Sequence, residues 1–240
     1  MADGPQAAAP ARGRTRGGPL GAALGLGGEL LITLGVLLVL FVAWQLVWTD
    51  VVADAEMDQE VASLEAAFDD PAATAVPGLK DVKFGQAFAI VRIPQFGLKY
   101  ARPVYEGTTR DVLMHGIGHY ASTAMPGELG NFAVAGHRTT YGKPFNRIDD
   151  LRRGDVVIVE TRQTWFVYRV SSTEVVAPSR SDVILPVPEQ PGVEAGEALL
   201  TMTSCHPEFS SRERYVVHAT LATTYPHAED LPADLLTRRG

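Results

Sequence analysis

Residues 197–222 read EALLTMTSCHPEFSSRERYVVHATLA, two runs rich in Leu, Val and Thr separated by a polar stretch that opens on His206-Pro207. Runs of this composition, bounded by turn residues, predict strands over 197–205 and 214–222. Working outward, four more such runs precede them. AFAIVRI (87–93) is closed by Pro94, NFAVAGH (131–137) follows Glu-Leu-Gly, DVVIVET (155–161) follows Arg153-Gly154, and WFVYRVSSTEVV (165–176) stops before Pro178. Six or more strands in about 140 residues leave little room for crossover helices and predict an all-β barrel or sandwich. Short helical pieces are predicted at Thr109–Met114 and at Pro144–Leu151, the latter followed by a basic stop signal, Arg152-Arg153-Gly154.

The remainder of the 240 residues reads as appendages to that domain. Leu30–Trp48 is an uncharged apolar run of 19 residues, long enough to span a bilayer. Residues 1–29 form a Gly-, Ala- and Pro-rich tract with Arg12, Arg14 and Arg16, read as a disordered cytoplasmic tail before a transmembrane anchor at 30–48. A cleavable signal peptide is the rival reading, on Ala53-Asp54-Ala55, but the apolar run exceeds the usual signal core of roughly 7–15 residues.

The net charge of −7 is uneven along the chain. Residues 49–84 hold nine Asp and Glu against two Lys, whereas 85–240 is nearly balanced, so the acidity belongs to an extracellular stalk and linker. Within it Met57, Val61, Leu64 and Phe68 recur at helical spacing; a short helix is predicted, read as a solvated spacer rather than a docking face. The outer β domain is then 85–227, with a C-terminal tail at 228–240. Nothing in the charge pattern suits phosphate neutralisation, so no nucleic-acid partner is expected.

Cys205 is the single cysteine, which excludes an intramolecular disulfide. A lone thiol is as often simply buried as used, but this one ends a strand at a loop, where a side chain is rigidly held and still reachable. A cysteine nucleophile needs a base. His206 is adjacent, yet consecutive strand residues point to opposite faces. His137, ending NFAVAGH after a glycine, is the better partner. Arg214 and Arg212 are both near enough to supply an oxyanion donor, and spacing does not choose between them. His115 and His119 in HGIGH have zinc-helix spacing, but the glycines and the missing catalytic Glu point to a turn-rich loop. His218 and His227 read as ordinary surface or hydrogen-bonded residues. No metal and no cofactor are expected.

The order of AGHR (135–138), TMTSC (201–205) and RERYVV (212–217), together with HYASTAMPGELGNFAVAGHRTTYGKPFNRIDDLRRGD (119–155), resembles the sortases, and class E among them. The resemblance implies an all-β fold, an eight-stranded sortase-type β-barrel with short helices, carried on an N-terminal transmembrane helix. It implies His137 as imidazole partner, Cys205 as nucleophile and Arg214, which directly precedes the apolar final strand, as oxyanion donor. Tyr120, Thr203 and Ser204 are the candidate contacts to substrate. The implied partners are secreted proteins bearing a Leu-Ala-x-Thr-Gly or Leu-Pro-x-Thr-Gly signal, an amine of a lipid-linked peptidoglycan precursor, and the membrane. One departure stands out: the family's Thr-Leu-x-Thr-Cys is Thr201-Met202-Thr203-Ser204-Cys205 here, expected to preserve activity while altering substrate fit or rate. The alternative function is a membrane-tethered cell-wall binding module, or an inactive homologue with a structural cysteine.

Overall fold

A computed structural model describes residues 19–70 and 78–237. The tail at 1–18, the linker at 71–77 and the last residues, 238–240, lie outside the described residues. Eight strands close a barrel: β1 (Ala87–Arg92), β2 (Ala101–Glu106), β3 (Ile117–His119), β4 (Gly130–Ala135), β5 (Val156–Glu160), β6 (Thr164–Val176), β7 (Ala198–His206) and β8 (Glu213–Pro226). Their order around the barrel is β1-β2-β3-β4-β7-β8-β6-β5. Only the β2–β3 and β4–β7 pairs are parallel; the other neighbours run antiparallel.

Alternation along the strands builds the core. Phe132 and Val134 of β4, Val157 and Val159 of β5, Tyr168 and Val170 of β6, Leu200 and Met202 of β7, and Val217 and Ala219 of β8 form one buried cluster. All six runs predicted from sequence are strands. Two more emerge that pattern alone did not single out. β2 carries Pro103, which cannot donate to a ladder, and β3 is only Ile117-Gly118-His119, so HGIGH is partly strand rather than wholly loop. The helix predicted at Pro144–Leu151 contracts to a single 3₁₀ turn, Ile148–Asp150, because this segment folds through i→i−3 bonds such as Asn146 N to Lys143 O (3.0 Å) and Ile148 N to Phe145 O (3.2 Å). A one-turn helix α2, Arg110–Leu113, lies within the predicted Thr109–Met114.

Helix α1 spans Pro19–Asp69. It begins at Pro19, a residue whose fixed φ suits a first turn, so residues 19–29 are helical rather than disordered. Its stretch Pro19–Trp44 is long and apolar enough to cross a membrane.

From Trp48 onward the helix belongs to the same compact unit as the barrel, and here the spacer expectation is corrected. Val61, Leu64 and Phe68 are buried against Ile90 and Ala101, and Ala53 and Met57 are buried on the same side. Ile90 of β1 and Ala101 of β2 present apolar side chains on the outer face, so the helical stripe has a surface to cover. Carboxylates flank the stripe: Asp54 and Asp58 pair with Arg102 at 2.7 and 3.2 Å, Asp50 with Lys143 at 2.6 Å, and Glu65 with Arg92. Arg92 also holds the buried Glu160 at 2.6 Å. At the other terminus His227 stacks on Trp165 (4.9 Å, 12°) and meets Glu160 at 3.0 Å, while Leu235 packs on Ile158 and Val167.

Leu64→Ala should therefore lower the stability of the full chain in detergent by about 2–4 kcal/mol, as buried Leu truncations do. Gln59→Ala, on an exposed position of the same helix, should stay within about 0.5 kcal/mol. Denaturant unfolding of the two variants checks this, and equal values would mean an undocked helix.

Candidate active site

Strand parity decides which side chains share a surface. Since Leu200 and Met202 face the core, Thr201, Thr203 and Cys205 face outward on β7. On β8, Val217 and Ala219 face inward, leaving Arg214, Val216 and His218 outside. Cys205 and Arg214 are direct cross-strand partners, whereas Arg212 precedes the ladder and is exposed. β4 runs parallel to β7 with Ala135 beside Thr203, and the pairing continues one step through Gly136 N to Thr203 O (3.1 Å). The chain thus delivers His137 alongside the Ser204–Cys205 end of β7. His137, Cys205 and Arg214 come from three adjacent strands at one end of the barrel.

Gly136 is needed for this exit. A Cβ there would sit 2.7 Å from the buried Phe145 ring, so a side chain would push the histidine segment off the barrel end. The imidazole of His137 is half-buried, and its Nε2 has no hydrogen-bond partner among the described residues. Burial holds it below the ordinary histidine pKa, and the charge of Arg110 pushes the same way. Tyr141 lies against it, ring centroids 5.1 Å apart. Cys205 is half-buried with a free thiol. The Arg214 guanidinium donates to the carbonyls of Ser211 (3.1 Å) and Glu213 (3.0 Å), which hold it at the mouth of the β7–β8 turn.

The three candidate substrate contacts divide. The hydroxyl of Tyr120 meets Thr203 Oγ1 at 3.1 Å, and Thr203 in turn donates to Val134 O (3.3 Å). Both lie on the face that carries Cys205. Ser204 does not: it points inward and donates to Gly136 O at 2.8 Å, pinning β7 to the end of β4. Met202 is likewise fully buried in the core. Both departures from the family's run before the cysteine therefore fall on the inner face, where their contacts in the structure are with the barrel itself.

Sequence reasoning missed Arg138. Its side chain is 4% exposed and binds behind Cys205: Nη2 pairs with Asp149 Oδ2 (2.5 Å), and Nη1 lies 3.2 Å from His206 Nδ1 and 3.5 Å from Cys205 O. A guanidinium only donates, so His206 Nδ1 offers its lone pair and the ring faces Arg138, away from the outer face. The available signal was parity beside His137 within AGHR, though an isolated arginine reads as a surface residue by default. The other histidines are held elsewhere: His119 by Glu106 (2.7 Å) inside the barrel, and His218 by Thr201 and Glu174, each at 2.9 Å. No cluster of three metal-ligating side chains occurs among the described residues.

Residues 91–222 match the Sortase domain family. The chain belongs to the sortase family. Over 237 residues, 91% of this chain and 90% of the relative, this sortase is 36% identical to sortase SrtE2 of Streptomyces coelicolor. It is 39% identical to sortase SrtE1 of the same organism over 88% of its own length, and spans 60% of that longer relative. The structure of sortase E from Streptomyces avermitilis superposes with a TM-score of 0.58 at 43% identity, covering 64% of this chain and 99% of that one. These relatives put it with the class E sortases, in a family of cysteine transpeptidases.

Two outcomes follow for this sortase. Arg138→Lys replaces a planar fork by one ammonium that cannot serve Asp149, His206 and the Cys205 carbonyl together, and should cost about 1–3 kcal/mol in unfolding; Arg153→Lys, at an exposed position, should cost under about 0.5. Arg110→Gln removes a cation that disfavours imidazolium, so the His137 titration followed by NMR should move upward, yet stay below the ordinary value because burial remains.

Proposed function

We propose that this chain is a single-pass membrane protein, N-terminus cytoplasmic and barrel outside, that cleaves a sorting signal between Thr and Gly. The signal is of the Leu-Ala-x-Thr-Gly type in preference to Leu-Pro-x-Thr-Gly. The observation that carries this reading is the register Cys205 opposite Arg214, with the His137 segment on the other flank of the same strand end.

In this scheme the Cys205 thiolate, with His137 protonated, attacks the threonine carbonyl carbon. Negative charge gathers on the carbonyl oxygen, where the Arg214 guanidinium stabilises it. The C–N bond then breaks, His137 gives its proton to the departing glycine nitrogen, and a thioester joins Cys205 to the protein. An amine of a lipid-linked peptidoglycan precursor attacks that thioester, its proton passes to His137, and the C–S bond breaks to restore the thiolate. The protein leaves linked to the wall precursor through a new amide. Tyr120 and Thr203, hydrogen-bonded to each other on the outer face, contact the signal beside the nucleophile. Tethering the enzyme on the same membrane as substrate and precursor raises their effective concentration at the site.

Cys205→Ala should abolish cleavage of a Leu-Ala-x-Thr-Gly peptide and the thioacyl adduct seen by mass spectrometry. Arg214→Ala should reduce the rate roughly 10²–10³-fold, the usual loss for one oxyanion donor. Arg212→Ala should change it less than about threefold, since surface positions off the ladder carry little. The opposite ranking of the two arginines would reassign the oxyanion donor.

A further inference from the structure

The turn that follows His137 is strained. Tyr141, Gly142 and Lys143 have φ of 52°, 66° and 49°, three successive residues in the left-handed region of which two are not glycine. Non-glycine residues keep such a conformation only where the surroundings enforce it. Here the enforcing surface is helix α1. Met57 is buried directly over Gly142: a Cβ at that glycine would stand 2.1 Å from Met57 Cε and 3.0 Å from Asp54 Oδ1. Lys143 Nζ is tied to Asp50 Oδ2 at 2.6 Å. Asp54 is itself fixed by Arg102 at 2.7 Å.

The turn leads back to the imidazole. Phe145 N donates to His137 O at 3.0 Å, so the segment closes on the residue that opens it. Tyr141, at its apex, lies against the His137 ring at 5.1 Å and takes a hydrogen bond from Arg110 at 3.3 Å. Arg110 from α2 and Tyr141 from the turn act on the imidazole, and the register sets Cys205 of β7 opposite Arg214 of β8 at the same end of the barrel.

We propose that Asp50, Asp54 and Met57 of α1 are positioning residues for His137: they hold the left-handed turn 141–143 closed, and the turn keeps Tyr141 packed on the imidazole. The proposal rests on the sortase reading of His137. None of the three α1 residues touches substrate; they act through the turn. Released from Met57 and Asp50, the turn relaxes toward ordinary backbone, Tyr141 leaves, and water reaches the ring. The imidazole then loses both its fixed orientation and the burial that depresses its proton affinity.

The test uses the full-length chain in detergent with two readouts. One is the NMR titration of His137 in a Cys205→Ala background, its signal assigned by loss in His137→Gln; the other is kcat and KM on a Leu-Ala-x-Thr-Gly peptide. Met57→Ala should move the titration midpoint upward and lower kcat about tenfold with KM nearly unchanged, as a displaced catalytic group does. Met57→Leu should restore both. Lys143→Asp should act like Met57→Ala, and adding Asp50→Lys should recover it. If Met57→Ala only lowers thermal stability, with midpoint and kcat as in the wild type, the contact is structural and the proposal fails. A wild-type chain inert toward the peptide would count against the sorting-signal reading alone, because the titration shift still decides for or against the positioning role.

Discussion

The parallel pairing of β4 with β7 is the constraint on which the site depends. Gly130–Ala135 runs beside Ala198–Thr203 in the same direction, so both strands leave the barrel at the same end and their terminal residues emerge together. β8 then returns antiparallel from that end, and its early residue Arg214 falls opposite Cys205. An antiparallel β4 would carry His137 to the far end, near Ala198. Register is equally binding, since a one-residue slip of β7 would turn Thr203 and Cys205 into the core and expose Met202. Parallel neighbours need a long connection, and here β5 and β6 occupy it while completing the barrel.

Around that pairing, small contacts fix the exits of the strands. Ser204 binds Gly136 O, Gly136 gives way to Phe145, and Arg138 gathers Asp149, His206 and the Cys205 carbonyl behind the end of β7. Burying a guanidinium is costly unless its donors find partners, and Arg138 uses both terminal nitrogens while its Nε has no partner among the described residues. The inner face thus supplies rigidity while the outer face carries Cys205 and Arg214. The substitutions in Thr201-Met202-Thr203-Ser204-Cys205 relative to the family's run respect this division: the outward residues Thr201 and Cys205 match it, Thr203 stands at its variable position, and the two changed residues face inward.

Much of this was legible in the residues, unevenly so. The six strong runs announced themselves because each has enough alternating or continuous apolar character to define a strand without its neighbours. β2 and β3 did not, because Pro103 and Gly118 weaken the local signal and their structure comes from the ladders around them. Cys205 and His137 were legible as strand-end residues. Arg214 was separable from Arg212 only through a resemblance to known motifs, and the register now gives a physical reason for the preference. Arg138 was invisible, since no local pattern tells a buried arginine from a solvated one.

The acidic stretch shows where sequence periodicity ends and tertiary context begins. The apolar stripe of Met57, Val61, Leu64 and Phe68 was plain, but whether it meets water or protein depends on residues far along the chain, Ile90 and Ala101, which present apolar surface outward. Once it docks, the concentration of carboxylates in 49–84 has a local explanation: Arg92, Arg102 and Lys143 lie on the facing surface. Exposed ion pairs of this kind contribute about 0–1 kcal/mol each, too little to hold a helix, so the buried stripe supplies the affinity and the charges fix how the helix lies along the barrel. That orientation brings Met57, rather than a neighbour one position away, onto Gly142. The acidity that looked like the mark of a tether is therefore part of what aligns the helix over the turn beside His137, and the folded unit begins at Trp48, well before the first strand.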